Sequence, residues 1–399
     1  MAALRLPTRA PMADREHEVV VYGATGFTGA LTAEYLARTA PGARWALAGR
    51  NRAKLELVRA RLAEIDPALA EMPLLDADAG DPASMRALAE STQVVISTVG
   101  PYISYGEPLV AACAAAGTDY VDLTGEPEFV DRMWLGYHAQ AQRTGARLVH
   151  SCGFDSIPYD LGVLYTVDRL PQGVPLRVQG FVSAGATFSG GTFHSAVHIA
   201  GRLRQAASAA RERRRLEDRP DQRRVRGITG RPHNVPAAGG WVVPFPSIDP
   251  QTVVRSARAL DRYGPDFAYE HYIVVKRLPV AGGLMVGAGA LTALAQLGPT
   301  RNLLLKLKDP GEGPTPDQRE KAWFRVRFMA RAGNQTITTQ VSGGDPGYSE
   351  TSKMLSEAAL CLARDELPEH AGQLTPAVAM GQALIDRLQA AGIEFEVLQ

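Results

Sequence analysis

Three glycines, Gly23, Gly26 and Gly29, stand in "VVVYGATGFTGALTAEYL", between an apolar run and a segment of helical periodicity. Such a bend lets backbone N–H groups at a helix start approach an anion such as a pyrophosphate. The spacing is GxxGxxG, one residue off the dinucleotide fingerprint, but the steric demands are the same: a tight turn, close backbone approach and close helix–strand packing. The expected cradle is Gly23, Ala24, Thr25, Gly26, Phe27, Thr28 and Gly29. A glycine-rich turn without nucleotide is the alternative. Beyond the next apolar run, "ALAGRNRAK" carries Arg50, Asn51, Arg52 and Lys54 where an NAD enzyme has an acid for the ribose 2′-OH. An arginine there holds a 2′-phosphate through paired, charge-assisted hydrogen bonds. NADPH is therefore expected over NADH, with Arg50, Asn51 and Lys54 as contacts; cations solvating an exposed helix start would look the same. Asp78 is placed to meet the adenine. Thr98, Val99, Gly100, Pro101 and Tyr102, closing the fourth apolar run, are placed to border the nicotinamide.

A second stretch, "HSCGFDSIPYDLG" (150–162), sets a thiol, an acid and a hydroxyl beside glycine and proline. That makes a poor core and a plausible loop at the mouth of a site.

The elements that must position these residues follow from periodicity. Apolar runs at 18–23, 44–49, 72–78, 93–100, 119–125 and 146–153 alternate with helical segments, among them 51–65, 82–90, 107–116 and 128–144. This rhythm predicts an α/β fold, a Rossmann-type doubly wound parallel sheet. Beyond about residue 160, period-2 runs at 175–185, 267–277, 321–331 and 334–344 predict a second, α+β domain with an antiparallel sheet, its last two strands joined as a hairpin across 332–333. The expected organisation is a disordered extension (1–16), an NADP-binding domain (17–155), a substrate domain (156–350) and C-terminal helices (351–399) packing back on the first domain. The first 16 residues lack an apolar h-region and do not read as a signal peptide.

Composition narrows the classes. With 399 residues, 45% hydrophobic and 21% charged, the chain reads as a soluble two-domain protein. A net charge of +1 gives no general attraction to nucleic acid. Cys113, Cys152 and Cys361 are too scattered for a metal site or a disulfide framework, which points to a reduced, cytoplasmic compartment.

"VVYGATGFTG", "LAGRN", "VVISTVGPY", "YVDLTGE" and "CGFDSIPYDLG", with "GGDPGYSETSKM" and "LTPAVAMG" further on, resemble the saccharopine dehydrogenase-like oxidoreductases, nearest the branch of bacterial trans-acting enoyl reductases of lipid polyketide synthesis. The resemblance covers about residues 17–399 and is weakest over 200–320. It implies NADPH as hydride donor, and Cys152, Gly153 and the residues up to Asp155 near the nicotinamide.

Enoyl reduction delivers a hydride to the β-carbon of an activated alkene and a proton to the α-carbon. Tyr102 is the first candidate for the acid. Asp155 is the second, with capping of the helix near Pro158 as its alternative role. Cys152 suits a small buried filler, and His194 a substrate-side donor or a structural group. "YIVVK" (272–276) matches the Tyr-x-x-x-Lys of short-chain dehydrogenases, but in a strand the two side chains lie about 13 Å apart, too far to cooperate. The uncharged segment 278–300 reads as a buried helix lining a greasy cleft, a peripheral membrane contact, or a span, the last being disfavoured inside a folded domain. The basic stretch 202–227 is a solvated face or a dock for an acidic carrier. The expected activity is reduction of an enoyl lipid or polyketide thioester, with a hydrophobic or acyl substrate, carrier-bound or free. The rivals are a saccharopine-type imine or semialdehyde reductase and a non-catalytic, lipid-associated NADP-binding protein. A homodimer is admitted but not required.

Overall fold

The computed structural model describes residues 15–185, 190–218, 220–306 and 314–398. In chain order the strands are β1 (His17–Tyr22), β2 (Trp45–Gly49), β3 (Leu74–Asp76), β4 (Thr92–Ser97), β5 (Asp119–Asp122), β6 (Arg147–Val149) and β7 (Leu176–Ala184). They continue with β8 (Arg224–Ile228), β9 (His233–Val235), β10 (Gly240–Pro244), β11 (Asp266–Val275), β12 (Phe324–Ala332), β13 (Gln335–Gly343), β14 (Gly372–Leu374) and β15 (Glu394–Val397). The chain divides into two compact units, one holding the residues up to Gly153 with Thr351–Arg387, the other Phe154–Glu350 with Leu388–Gln399.

The first unit is a seven-stranded sheet in the order β14-β6-β5-β4-β1-β2-β3, parallel throughout. Both faces carry helices, so the strands are continuously apolar: Val19, Val20 and Val21 of β1 and Val94, Val95 and Ile96 of β4 are all buried. The order reverses between β1 and β4, which opens a crevice at their carboxyl ends where ligands of such sheets bind. β14 pairs with β6 through Gly372↔Arg147 and Leu374↔Val149. This strand falls within the segment 351–399 expected to be C-terminal helices, between its two helical stretches; three residues are too few to leave a period-2 signal. At the other end, Arg15 donates to the carbonyls of Thr92, Ala89 and Ala116. Arg15, inside the expected 1–16 extension, is thus bonded to the fold; residues 1–14 of that extension lie outside the described ones.

The second unit is built on an eight-stranded sheet, β15-β13-β12-β7-β11-β10-β9 with β8 against β11. It is mixed, a refinement of the expected antiparallel sheet: β11 runs parallel to β7 and β8, the other pairs antiparallel. The parallel pair is possible because the connection from β7 to β11 is long, carrying helices and the strands β8, β9 and β10. The hairpin β12–β13 closes with Ala332 opposite Gln335, so its turn is Gly333–Asn334, one residue later than the spacing suggests; Gly333 supplies the left-handed φ of 57°. The helix Ile157–Val167 is buried along its whole length. Gly162 lets it lie against the sheet, since a Cβ there would sit 2.3 Å from the Phe328 ring.

The uncharged segment forms a helix, Leu278–Ala295, but not a buried one. Met285 is 53% and Val286 73% exposed, so the expected buried cleft-lining helix is overturned. Its all-apolar sequence suits burial, but among the described residues its buried core is confined to its C-terminal end, where Leu291 and Ala295 pack against Val197 and Ala200.

Candidate functional site

The first loop is shaped by the end of β4. Gly23 has a φ of 89°, and a Cβ on it would lie 2.7 Å from both Thr98 Oγ1 and Val99 Cγ2. Thr98 closes the contact by donating to the carbonyls of Tyr22 and Gly23, each at 3.1 Å. Gly29 lets the helix Phe27–Thr39 press on the loop: its Cβ would lie 2.2 Å from the Gly23 carbonyl oxygen. Gly26 differs. Its φ of −80° suits any residue, and the nearest atom to its Cβ would be 3.4 Å away. The protein's own packing does not require glycine there, so the bareness serves something else. Gly26, at the N-cap position, has no side chain to cap this helix, and no acid stands in its first turn. A helix start with a bare glycine at its cap fits a pyrophosphate.

At the end of β2 the cations separate by role. Asn51 caps the helix Arg52–Ile65, accepting from the Lys54 backbone N–H at 3.0 Å. Arg52 donates to the Leu74 carbonyl at 2.6 Å and lies 3.7 Å from Glu56. Arg50 is exposed, and its guanidinium has no hydrogen bond or ion pair among the described residues. It is thus the cation left for a 2′-phosphate, with the exposed Lys54 one turn away. Asp78 is exposed too, but spends one oxygen on its own turn, accepting from Gly80 N–H at 2.9 Å. Both charges act on Tyr22, absent from the sequence-derived set; burial pushes its phenol up, Asp78 adds to this and Arg50 opposes it.

Tyr102 follows the cis peptide Gly100–Pro101 and turns inward. Its hydroxyl donates to the Ser97 carbonyl at 2.9 Å, and burial, then Asp122, push its pKa well above that of a free phenol. The backbone N–H groups of Tyr102 and Ile103 donate to the two oxygens of Glu126, each at 2.9 Å. Burial pushes Glu126 upward and those two bonds oppose it. Beside them His150 Nδ1 lies 2.7 Å from Asp122 Oδ2, while Asp122 Oδ1 accepts from Ser151 and Thr124 N–H at 2.9 and 3.0 Å. Asp122, Glu126 and His150 escaped the sequence reading; the signal was there, polar residues ending the apolar runs "YVD" and "LVH". Cys152 is buried, its thiol 3.5 Å from the Val149 carbonyl, and Gly153 packs on Thr351 and Leu123.

Asp155 belongs to the second unit. It does not cap the following helix: Ser156 holds the N-cap position at a strained φ of 91°. The Ser156 hydroxyl instead lies within hydrogen-bond reach of Asp249, at 3.3 Å, and of the Thr252 hydroxyl, at 3.1 Å. Asp249, only 1% exposed, also accepts from Ser247 at 2.6 Å and lies 3.6 Å from His271 Nε2. His271 Nδ1 meets the Tyr269 hydroxyl at 3.1 Å, and burial holds this imidazole neutral, its pKa pulled down to about 3. Desolvation pushes Asp155 up to about 6, and desolvation followed by the charge of Asp155 pushes Asp249 well above the carboxylate range. Asp155 keeps an exposed edge where water tempers that push, whereas Asp249 has none. The two carboxyls thus titrate as a pair that keeps a proton to higher pH than a free acid. Tyr272 of "YIVVK" lies on β11 and donates to Glu270 at 2.6 Å, as expected of a strand residue with no lysine partner.

Residues 19–149 match the saccharopine dehydrogenase NADP binding domain. A Mycobacterium tuberculosis protein named as a trans-acting enoyl reductase is 41% identical over 96% of this chain and 97% of its own length. A trans-acting enoyl reductase of Mycobacterium ulcerans is 37% identical over 96% and 97%. Among solved structures, apo saccharopine dehydrogenase (L-Glu forming) of Saccharomyces cerevisiae covers 96% of this chain and 100% of its own, with a TM-score of 0.55 at 10% identity, a likeness of fold.

Proposed function

The chain belongs to the saccharopine dehydrogenase-like oxidoreductases, in their trans-acting enoyl reductase branch, and from that premise we propose that this NADP-dependent oxidoreductase uses NADPH to reduce the carbon–carbon double bond of an enoyl lipid or polyketide thioester. The observation that carries the reading is likeness to enoyl reductases over the whole length, second unit included. NADPH, when bound, supplies the hydride that adds to the β-carbon.

The chain's own residues do the rest. The Gly23–Gly29 loop, with the bare glycine at the start of its helix, would hold the pyrophosphate, and Arg50, with Lys54, would hold the 2′-phosphate. The proton for the α-carbon comes from Asp155, refilled through its pairing with Asp249. A phenol committed to a carbonyl inside the fold, as Tyr102 is, supports a positioning role instead. The Ser156 and Ser247 hydroxyls, both within hydrogen-bond reach of Asp249, stabilise it when it is ionised.

The rival reading is an imine or semialdehyde reductase, whose substrate bears several carboxylates. The test is NADPH oxidation, followed by absorbance, with short enoyl thioesters against imines formed from 2-oxo acids and amines. Turnover of the imines alone would overturn the reading. No turnover of either, with NADPH bound, would favour a non-catalytic NADP-binding protein.

A further inference from the structure

Among the described residues, fourteen large apolar side chains are exposed, and seven of them fall between Leu278 and Leu303. Half the exposed bulk in so short a stretch is a patch, not scatter. It comprises the helix Leu278–Ala295 and the shorter helix Gly298–Leu305, which share a small core with Val197 and Ala200 of the helix Gly190–Gly201. Away from that core, Met285, Val286, Leu297 and Leu303 point outward, and Cβ atoms built on Gly283 or Gly287 would meet nothing. Among the described residues, nothing covers these side chains.

Its electrostatics say what does. From His271 to Lys306 the sequence has no aspartate or glutamate, while Lys276 and Arg277 stand just before the long helix and Arg301 and Lys306 close to its end. An apolar helix with cations at both ends matches hydrocarbon flanked by anionic headgroups, the long basic side chains reaching outward along the interface. Topology excludes a crossing. β11, which leads into the helix, and β12, which follows it, both pair with β7 in one sheet, so the chain returns to the side it left. The eight-residue helix Gly298–Leu305 spans only about 12 Å, far short of the roughly 30 Å needed to cross back.

We propose that the helix pair 278–305 is a membrane-docking foot that lies in one leaflet of a bilayer carrying anionic headgroups. For an enzyme of acyl chains this places the second unit where such substrates partition, but the docking itself does not depend on which reaction the protein catalyses.

The test is flotation of the full-length chain with vesicles of phosphatidylcholine alone or mixed with phosphatidylglycerol, using wild type, the double variant Met285→Glu/Val286→Glu, and Lys276→Gln/Arg277→Gln. Wild type is expected to float with the mixed vesicles. The glutamate pair should weaken binding on the order of a hundredfold by removing two apolar anchors. The glutamine pair should weaken it roughly twentyfold at low salt, about fivefold per cation. NADPH affinity, read by fluorescence, should stay at the wild-type value in both variants, which separates lost docking from lost folding. Wild type that stays at the bottom with both vesicle types overturns the proposal. So does flotation that the glutamate pair leaves unchanged. A concentration-dependent dimer in sedimentation, dissolved by the same glutamates and without flotation, would show that a second copy covers the patch.

Discussion

Gly26 and Gly29 are three residues apart in one loop, yet replacing each by alanine should fail in opposite ways. At Gly29 the added methyl would lie 2.2 Å from the Gly23 carbonyl oxygen, 2.8 Å from Thr98 Oγ1 and 2.9 Å from Ala24 Cα. Two of these are backbone atoms that cannot rotate away, so the helix must back off the strand. Overpacking of this kind costs about 1–3 kcal/mol, and a backbone obstacle argues for about 3. In a unit of this size that lowers Tm by roughly 6–12 °C. At Gly26 the same methyl would meet only the Gly23 carbonyl, at an ordinary 3.4 Å, and the φ of −80° is already suitable. Stability should change by less than about 1 kcal/mol, the cost of alanine at an N-cap. The methyl would instead occupy the room above the helix start. Losing one charge-assisted bond to phosphate, about 1.5–3 kcal/mol, weakens NADPH binding by roughly tenfold to a hundredfold or slightly more. Thermal melts of both variants without cofactor, then NADPH titration by fluorescence, read the two effects apart. Wild-type NADPH affinity in Gly26→Ala would refute the placement of the pyrophosphate; an unchanged melt for Gly29→Ala would refute the packing argument.

Other consequences follow from the same structure. Arg50→Ala should cut NADPH affinity by roughly tenfold to a hundredfold and leave NADH binding nearly unchanged, since only the 2′-phosphate loses its partner; competition titrations with both cofactors check this. If Asp155 supplies the proton, kcat/KM for an enoyl thioester should fall as pH rises through about 6, the value to which its pKa is raised, and Asp155→Asn should abolish that limb while NADPH still binds. The linkage has the opposite sign to a salt-bridged acid. A carboxyl whose folded pKa is raised holds its proton more tightly in the native state, so it costs stability as pH rises from about 4 to 6, and Asp155→Asn should melt higher than wild type at neutral pH. Arg147 and Asp119 form a buried ion pair, with Nε donating to Oδ2 at 2.9 Å and the Arg147 backbone to Oδ1 at 2.8 Å. Asp119→Ala should destabilise by about 3–5 kcal/mol, seen in urea melts, because it strands a guanidinium in the interior.

What the residues alone determined was the cofactor half. The alternation of apolar runs and helical segments, with glycines at the first bend and arginine after the second run, is local information: turn geometry, side-chain period and charge type need no partner from elsewhere. Tertiary structure decided everything that depends on meeting across the sheet. It divided four polar residues by role, making Asn51 a cap and leaving Arg50 unpaired among the described residues, and it turned Tyr102 from a candidate acid into a phenol bonded to Ser97. It set Asp122 against His150, and brought Asp249 to Ser156, 93 residues away. It also turned the apolar helix 278–295 outward, against the plain expectation from its composition. The reason is that hydrophobicity fixes how strongly a segment avoids water, whereas the topology of the surrounding sheet fixes what is available to cover it.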